Sequence, residues 1–212
     1  MANRRGTLRI IGGQWRGRRL PIIEASGLRP TPDRVRETLF NWLQAEIPGS
    51  HCLDLFAGTG ALAFEALSRG AERVTVVESN SRACDQIRAS AAALGTDRLN
   101  LICADVSDFL RQSAEVFTGT ETGSAPAPSW DLVFVDPPYK LGYPPPQWPL
   151  IGDHPRIADD AAIYMESHAD HRDTPLTGTT RRWRERRHKV AGEICYRLLE
   201  PAEPPIPDQP PK

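Results

Sequence analysis

The alternation of apolar and polar positions predicts two different parts of the chain. In residues 8–23, basic and apolar side chains alternate around three glycines, which indicates a β-hairpin. A helix is expected next, with Thr31 as its N-cap and Pro32 at its first position. Apolar residues from Val35 to Leu43 recur at helical spacing and predict one buried face.

From residue 51 onward, short apolar runs alternate with helical stretches, which is typical of a parallel sheet with crossover helices. The predicted strands are 52–56, 73–78, 100–103, 131–135 and 163–167. The predicted helices are 61–69, 81–94 and 106–111. Residues 113–129 have the composition of a mobile surface insertion, and 181–189 with 193–199 are expected to form a final antiparallel pair. The predicted fold class is α/β.

The composition is that of one globular domain of ordinary size, with 212 residues, 40% of them hydrophobic and 25% charged. We expect a hairpin and helix extension over 1–46, a main domain over 47–200 and a disordered proline-rich tail over 201–212. No apolar run reaches the roughly 18 residues of a membrane helix, and no signal-peptide pattern is present. A cytoplasmic protein, monomeric and without a membrane partner, is expected.

Charge is distributed unevenly along the chain. The formal net charge is -1, yet residues 1–36 carry nine arginines against Glu24 and Asp33, a balance of +7 that leaves -8 for the remainder. A basic arm on an acidic body indicates a polyanionic partner, with a solvated basic face as the alternative. The candidate phosphate contacts are Arg9, Arg16, Arg18, Arg34 and Arg36.

The four cysteines are widely scattered and form no C-x-x-C pair or cluster with histidines, so no metal site is expected. Cys52 and Cys103 lie in apolar strand-like runs. We expect both to be reduced core thiols.

The stretch VFVDPPY at 133–139 ends an apolar strand with an acid, two prolines and an aromatic ring. Proline stops the strand and holds Asp136 in an extended conformation at its carboxyl end, where open α/β sheets bind ligands. The Asp136 carboxylate and the Pro137 carbonyl could accept both N–H groups of an exocyclic amine, while the ring of Tyr139 stacks on the heterocycle. The alternative is a structural cap on the strand, with Tyr139 packed nearby.

A second informative stretch, DLFAGTGALA at 54–63, lies at the first strand-to-helix junction. Gly58 and Gly60 allow the backbone to approach a ligand closely, and Glu78 ends the next strand, where a carboxylate can accept ribose hydroxyls. This pattern also fits a nicotinamide enzyme. Asp54, which could meet an ammonium group, and Asp105, which could accept from an adenine amine or cap a helix, argue for a different adenosine cofactor.

These stretches carry a resemblance to known families. Residues 54–61, Glu78 and Asp105 resemble the first three cofactor motifs of class I methyltransferases, and 136–139 matches the [DNS]-P-P-[YFW] motif of amino-methyltransferases. Further matches, LRIIGGQWRG at 8–17, RPTPDRVRETLFNWL at 29–43 and KVAG at 189–192, are similar to the RsmD family. That family methylates the exocyclic N2 amine of a guanine in bacterial 16S ribosomal RNA.

The resemblance implies a Rossmann-like class I methyltransferase sheet, mostly parallel with a final antiparallel strand pair, preceded by the hairpin and helix extension. It implies S-adenosylmethionine as methyl donor, S-adenosylhomocysteine as product, and 16S rRNA or a small-subunit precursor as partner. The implied cofactor residues are Asp54, Phe56, Gly58, Gly60, Glu78 and Asp105, and the implied catalytic residues are Asp136, Pro137 and Tyr139. A DNA amino-methyltransferase and a non-catalytic RNA-binding module remain alternatives, because the pocket motif does not separate one base from another.

Overall fold

The computed structural model describes residues 6–22, 31–118 and 128–202. The strands in these ranges are β1 Thr7–Arg9, β2 Arg19–Pro21, β3 His51–Leu55, β4 Arg73–Glu78, β5 Leu99–Cys103, β6 Trp130–Val135, β7 Ile157–His168, β8 Trp183–Ala191 and β9 Ile194–Pro201. The α-helices are α1 Asp33–Trp42, α2 Ala61–Ser68, α3 Ser81–Leu94, α4 Val106–Thr118 and α5 Trp148–Gly152. Single 3-10 turns occupy Tyr139–Leu141 and Ala169–His171.

The main sheet has seven strands in the order β5-β4-β3-β6-β7-β9-β8. The five strands from β5 to β7 in this order run parallel to one another, and β9 pairs antiparallel with both β7 and β8. β1 and β2 form a separate two-stranded antiparallel ribbon. The predicted α/β sheet, with its final antiparallel pair and its N-terminal hairpin and helix, is confirmed.

Both faces of the sheet are covered, which explains why its parallel strands are continuous apolar runs rather than alternating ones. On one face, the β1–β2 ribbon, α1, α2 and α3 share a buried cluster with β3, β4 and β6. On the other face, α4 and α5 pack against the remaining side chains of the same strands. The N-terminal extension therefore contributes side chains, Leu8 and Leu39 among them, to the core that also holds Phe134.

A buried acid of α2 holds this extension in place. The backbone N–H groups of Ile11 and Gly12 each donate to the Glu65 carboxylate at 2.8 Å. Arg36 also faces this carboxylate, with its Nη1 3.5 Å from Glu65 Oε2, while its Nη2 donates to the carbonyl of Arg9 at 2.9 Å. Arg36 is only 1% exposed. The prediction of Arg36 as a phosphate contact is wrong, because its guanidinium lies inside the molecule.

The start of α1 also differs from the prediction. Pro32 occupies the N-cap, and no side chain caps this helix end. Thr31 is not the N-cap, because its hydroxyl is used elsewhere: Thr31 Oγ1 donates to Asp136 Oδ2 at 3.2 Å. The segment before α1 is therefore connected directly to the end of β6.

Two element boundaries depart from the sequence pattern. α4 continues to Thr118, so 113–118 is helical and not part of a surface insertion, while 119–127 lies outside the described residues. In this extra length, Ser113 Oγ lies 3.0 Å from the ring nitrogen Nε2 of His154. β7 begins at Ile157 rather than 163, and the exposed Asp159 and Asp160 had hidden this start because they interrupt the apolar run. The predicted disordered tail falls almost entirely outside the described residues.

The cysteines depart from expectation at one position. Cys52 is a free, buried thiol, and burial is the main reason that its pKa is raised to about 12. Cys103 is instead exposed and forms a disulfide with Cys84 of α3. The prediction of a reduced core thiol at Cys103 is wrong because the last residue of β5, an edge strand, turns its side chain toward α3 rather than into the core.

Candidate active site

The candidate site lies at the carboxyl ends of β3 and β6, which are parallel neighbours with Leu55 opposite Val135. From β3 the chain continues to β4 and β5 on one side of the sheet and returns to β6 and β7 on the other. Such a reversal opens a crevice above the strand ends, where open α/β sheets bind ligands. The two motif stretches found in the sequence therefore meet at one crevice.

The loop after β3 has the tight backbone that a close ligand approach requires. Phe56 adopts φ 60°, an uncommon conformation for a residue with a side chain. Gly60 follows at φ 74°, and a Cβ there would lie 2.9 Å from the ring of Phe64. Since α2 begins at Ala61, directly after this turn, its N-terminus faces the crevice.

Glu78, the last residue of β4, closes one side of this loop. Its Oε2 accepts from the backbone N–H of Gly58 at 2.7 Å, and its Oε1 accepts from the N–H of Asn80 at 2.7 Å. The residue is buried. Each carboxylate oxygen has a second lone pair, so Glu78 can orient the loop and still accept ligand hydroxyls.

Asp54 and Asp105 occupy different environments. Asp54 is buried in β3, and its Oδ2 accepts from the N–H of Ala63 at 3.1 Å. Burial, together with the nearby Asp136 and Glu78 carboxyls, raises the pKa of Asp54 well above its ordinary value. An entering ammonium group would offset the cost of ionising Asp54.

Asp105 is exposed, and its Oδ1 caps α4 by accepting from the N–H of Ser107 at 2.7 Å. Helix capping is thus one role of Asp105.

The acid of the second motif is held at the mouth of the crevice. Asp136 directly follows β6, and burial raises its pKa to about 6, against the lowering effect of the Thr31 hydrogen bond. Pro137 is buried, whereas Tyr139 is 44% exposed with its ring edge-on to His168 at 5.8 Å between centroids. An exposed aromatic ring beside a hydrogen-bond acceptor provides a stacking surface for a base.

Two residues of this site carried no functional signal in the sequence interpretation. Thr31, predicted only as a helix cap, donates to Asp136. Glu166 of β7 is 2% exposed, accepts from the hydroxyl of Tyr164 at 2.7 Å and lies beside the end of β6. The alternation of Tyr164 and Glu166 on one face of a strand was the available signal, but only the sheet order shows that this strand is the neighbour of β6.

Four of the five candidate phosphate contacts are exposed: Arg9, Arg16, Arg18 and Arg34. A second basic stretch lies on the edge strand β8 and just before it, where Arg182, Arg187 and Lys189 are exposed and have no ion-pair partner within the described part of the chain. Lys189 pairs with Tyr196, which in turn pairs with Glu166. Lys189, near the end of the basic stretch, therefore lies in the same row of paired residues across the sheet as Glu166, which is beside the crevice.

The family model described as Conserved hypothetical protein 95 matches residues 8–200. The chain belongs to this family. It is 42% identical over 195 residues to "Ribosomal RNA small subunit methyltransferase D" of Escherichia coli K12, covering 92% of this chain and 90% of that protein. The Haemophilus influenzae protein of the same name is 38% identical over 200 residues, covering 93% and 96%. The solved Escherichia coli structure of yhhF has a TM-score of 0.77 at 38% identity and covers 92% of this chain and 98% of that chain.

Among the described residues, no helix is long and apolar enough to cross a membrane. In the same ranges, no group of three or more His, Cys, Asp or Glu side chains is arranged to hold a metal ion.

Proposed function

We propose that this protein transfers a methyl group from S-adenosylmethionine to the exocyclic N2 amine of a guanine in 16S ribosomal RNA. The observation that carries the proposal is the meeting of the glycine loop, Glu78 and Asp136 at one crevice between β3 and β6. The names of the relatives, which are ribosomal RNA small-subunit methyltransferases, support the substrate class. An rRNA substrate implies action in the cytoplasm, and we propose that the protein acts as a monomer.

The residues present fit the methyl donor. The buried carboxylate of Glu78 suits the ribose hydroxyls, and the narrow turn at Gly58 and Gly60 suits a ligand that touches backbone. Asp54, whose charged form is disfavoured by burial, suits the ammonium of the amino-acid part. Asp105, which follows β5 by two residues, is the proposed acceptor for the adenine amine. S-adenosylmethionine supplies an electrophilic methyl group on a positively charged sulfur.

The proposed catalytic role of the protein is alignment. The Asp136 carboxylate and the Pro137 carbonyl accept the two N–H groups of the guanine amine, and Tyr139 stacks on the ring. Two acceptors draw electron density toward the nitrogen, whose lone pair is otherwise delocalised into the ring, and point it at the methyl group. The proton lost from nitrogen leaves to solvent. A base within structured RNA must be extruded to reach this crevice.

The RNA backbone is proposed to contact the exposed arginines of the arm and the β8 edge. Arg9, Arg16, Arg18 and Arg34 extend from the ribbon and α1, and Arg187 and Lys189 from β8. Phosphate contacts of this kind position the protein without selecting a base. We propose residues 1–46 as the RNA-binding extension and 47–200 as the methyltransferase domain.

The test is transfer of labelled methyl from S-adenosylmethionine to unmodified small ribosomal subunits, stripped rRNA and duplex DNA in parallel, followed by nucleoside analysis. N2-methylguanosine from rRNA or subunits is the expected product, and Asp136→Ala is the matched inactive control. Methyladenine or methylcytosine from DNA alone would instead establish the DNA enzyme. Cofactor binding without transfer to any substrate would favour the non-catalytic module.

A further inference from the structure

Two carboxyl groups lie side by side at the catalytic end of the sheet. β6 and β7 are parallel with Val135 opposite Met165, so the next residues, Asp136 and Glu166, are adjacent. Glu166 is only 2% exposed, although glutamate side chains are rarely buried to this extent. Two close carboxyl groups removed from water cannot both ionise readily, so one of them keeps its proton.

The two acids have different hydrogen-bond donors. Thr31 Oγ1 donates to Asp136 Oδ2 at 3.2 Å. A hydroxyl has a single proton to donate, so the Thr31 proton that serves Asp136 is not also available to Glu166. Glu166 accepts instead from the hydroxyl of Tyr164, at 2.7 Å to Oε1.

The exposures of the two acids differ: Glu166 is buried, whereas Asp136 is only half-buried, so its charged form is the better solvated. Burial raises the pKa of Glu166 well above its ordinary value and the charge of Asp136 raises it further, against the lowering effect of the neighbouring Tyr164 and Thr31 hydroxyls. Burial also raises the pKa of Asp136, to about 6, but the Thr31 hydrogen bond opposes that change. Asp136 therefore ionises first, while Glu166 stays neutral.

The other titratable groups around the pair come from every element packed against it. They are Asp54 of β3, Glu78 of β4, Tyr139 of the 3-10 turn, Tyr164 of β7, Tyr196 of β9 and Glu193 of the turn before it. All are acids or phenols, and none of these groups adds a positive charge near the pair. Tyr164 has a pKa well above its ordinary value, because of burial and the neighbouring Glu166. The surroundings thus favour a single negative charge on the pair.

We propose that Thr31 and Glu166 are positioning residues for methyl transfer: Thr31 donates to Asp136 and keeps that carboxylate ionised and oriented as an acceptor, while Glu166 beside it stays protonated and adds no second charge. This inference rests on the proposed function, in which Asp136 accepts the N–H of the target amine. It gives the extension before α1 a part in the chemistry, since Thr31 belongs to the segment that leads into that helix.

The first test locates the proton without any turnover. Carboxyl resonances of glutamate-labelled protein are followed by ¹³C NMR from pH 4 to 9, and Glu166→Gln identifies the Glu166 signal by its loss. The expected result is a Glu166 carboxyl that is still protonated at pH 7. A Glu166 carboxyl that ionises at its ordinary pKa would overturn the inference, whatever the protein methylates.

The second test uses the pH profile of kcat/KM for methyl transfer to rRNA. Thr31→Val should move the acid limb upward by about one pH unit, because Asp136 loses the hydrogen bond that favours its charged form. Thr31→Ser should restore the parent profile. Glu166→Gln, which is neutral like the protonated acid, should leave the acid limb in place, whereas a limb that moves to lower pH would show that Glu166 carries a charge.

Circular dichroism and affinity for S-adenosylhomocysteine confirm that each variant is folded. An unmoved acid limb in Thr31→Val would remove Thr31 from the chemistry. Failure of the parent protein to methylate any RNA would contradict the proposed function alone, since the NMR titration still decides where the proton lies.

Discussion

The backbone N–H of Gly58 donates to Glu78 Oε2 across 2.7 Å, so the glycine loop after β3 is fastened to the acid that ends β4. One carboxylate thereby orients the backbone that approaches the ligand and presents its remaining lone pairs to the same ligand. We expect Glu78→Ala to weaken binding of S-adenosylhomocysteine by about 10- to 100-fold, since hydrogen bonds to charged groups contribute about 1.5–3 kcal/mol. Isothermal titration calorimetry measures this loss.

The matched control for Glu78 is Glu72→Ala, because Glu72 is an exposed acid just before the amino end of the same strand. Its affinity should equal that of the parent. Unchanged affinity in Glu78→Ala would reduce Glu78 to a structural residue.

Asp136 should make stability depend on pH. Burial raises its folded-state pKa from 3.8 to about 6, so its ionisation opposes folding: the stability associated with the neutral form is present at pH 4 and is lost as pH rises through about 6. The free energy of unfolding of Asp136→Asn, taken relative to that of the parent, should therefore be higher at pH 8 than at pH 4 by on the order of 1–2 kcal/mol. Urea unfolding at both pH values measures the difference, and a gain that is the same at both would contradict the raised pKa.

Tyr139→Ala should weaken capture of the RNA base by about 1–3 kcal/mol, because its exposed ring is the proposed stacking surface. Tyr139→Phe keeps the ring and should keep the affinity. Equilibrium binding of an rRNA fragment in the presence of S-adenosylhomocysteine separates the two variants. Equal losses in both would assign the effect to the hydroxyl instead of the ring.

Charge reversal in the basic arm should weaken RNA binding at every sequence tested. Arg16→Glu and Arg18→Glu each change an exposed residue of the loop between β1 and β2, whereas Arg73→Glu changes an exposed arginine at the amino end of β4, away from the crevice. Each lost phosphate contact lowers the slope of log affinity against log salt by about 1. A slope equal to that of Arg73→Glu would exclude the loop from the interface.

Arg34 and Arg36 are two positions apart in α1, but Arg34 is exposed and Arg36 is buried. Arg36→Ala should cost about 3–5 kcal/mol of unfolding free energy, because the buried Glu65 loses a cationic partner. Arg34→Ala, at an exposed position, should stay within about 0.5 kcal/mol of the parent. Denaturant unfolding at neutral pH compares the two, and similar costs would contradict the buried position of Arg36.

The sequence predicted the parallel core well because its strands are uninterrupted apolar runs. Arg73–Glu78 and Ser81–Leu94 have the predicted bounds, and Asn80 and Gly95 flank the helix as capping residues. The pattern failed where polar residues interrupt a strand, as at Asp159 in β7, and where a loop-like composition continues a helix, as at Ser113 in α4. Local composition does not record pairing with a distant strand or helix.

The sequence by itself determined the class of fold, the crevice motifs and the sign of charge on the arm, because these depend on local periodicity and on residue types at short spacing. Tertiary structure alone decided which polar groups meet. Thr31 reaches Asp136, Arg36 turns inward to Glu65, and Glu166 lies beside Asp136. These partners are distant in sequence, and only the order of strands in the sheet and the docking of the extension bring them together.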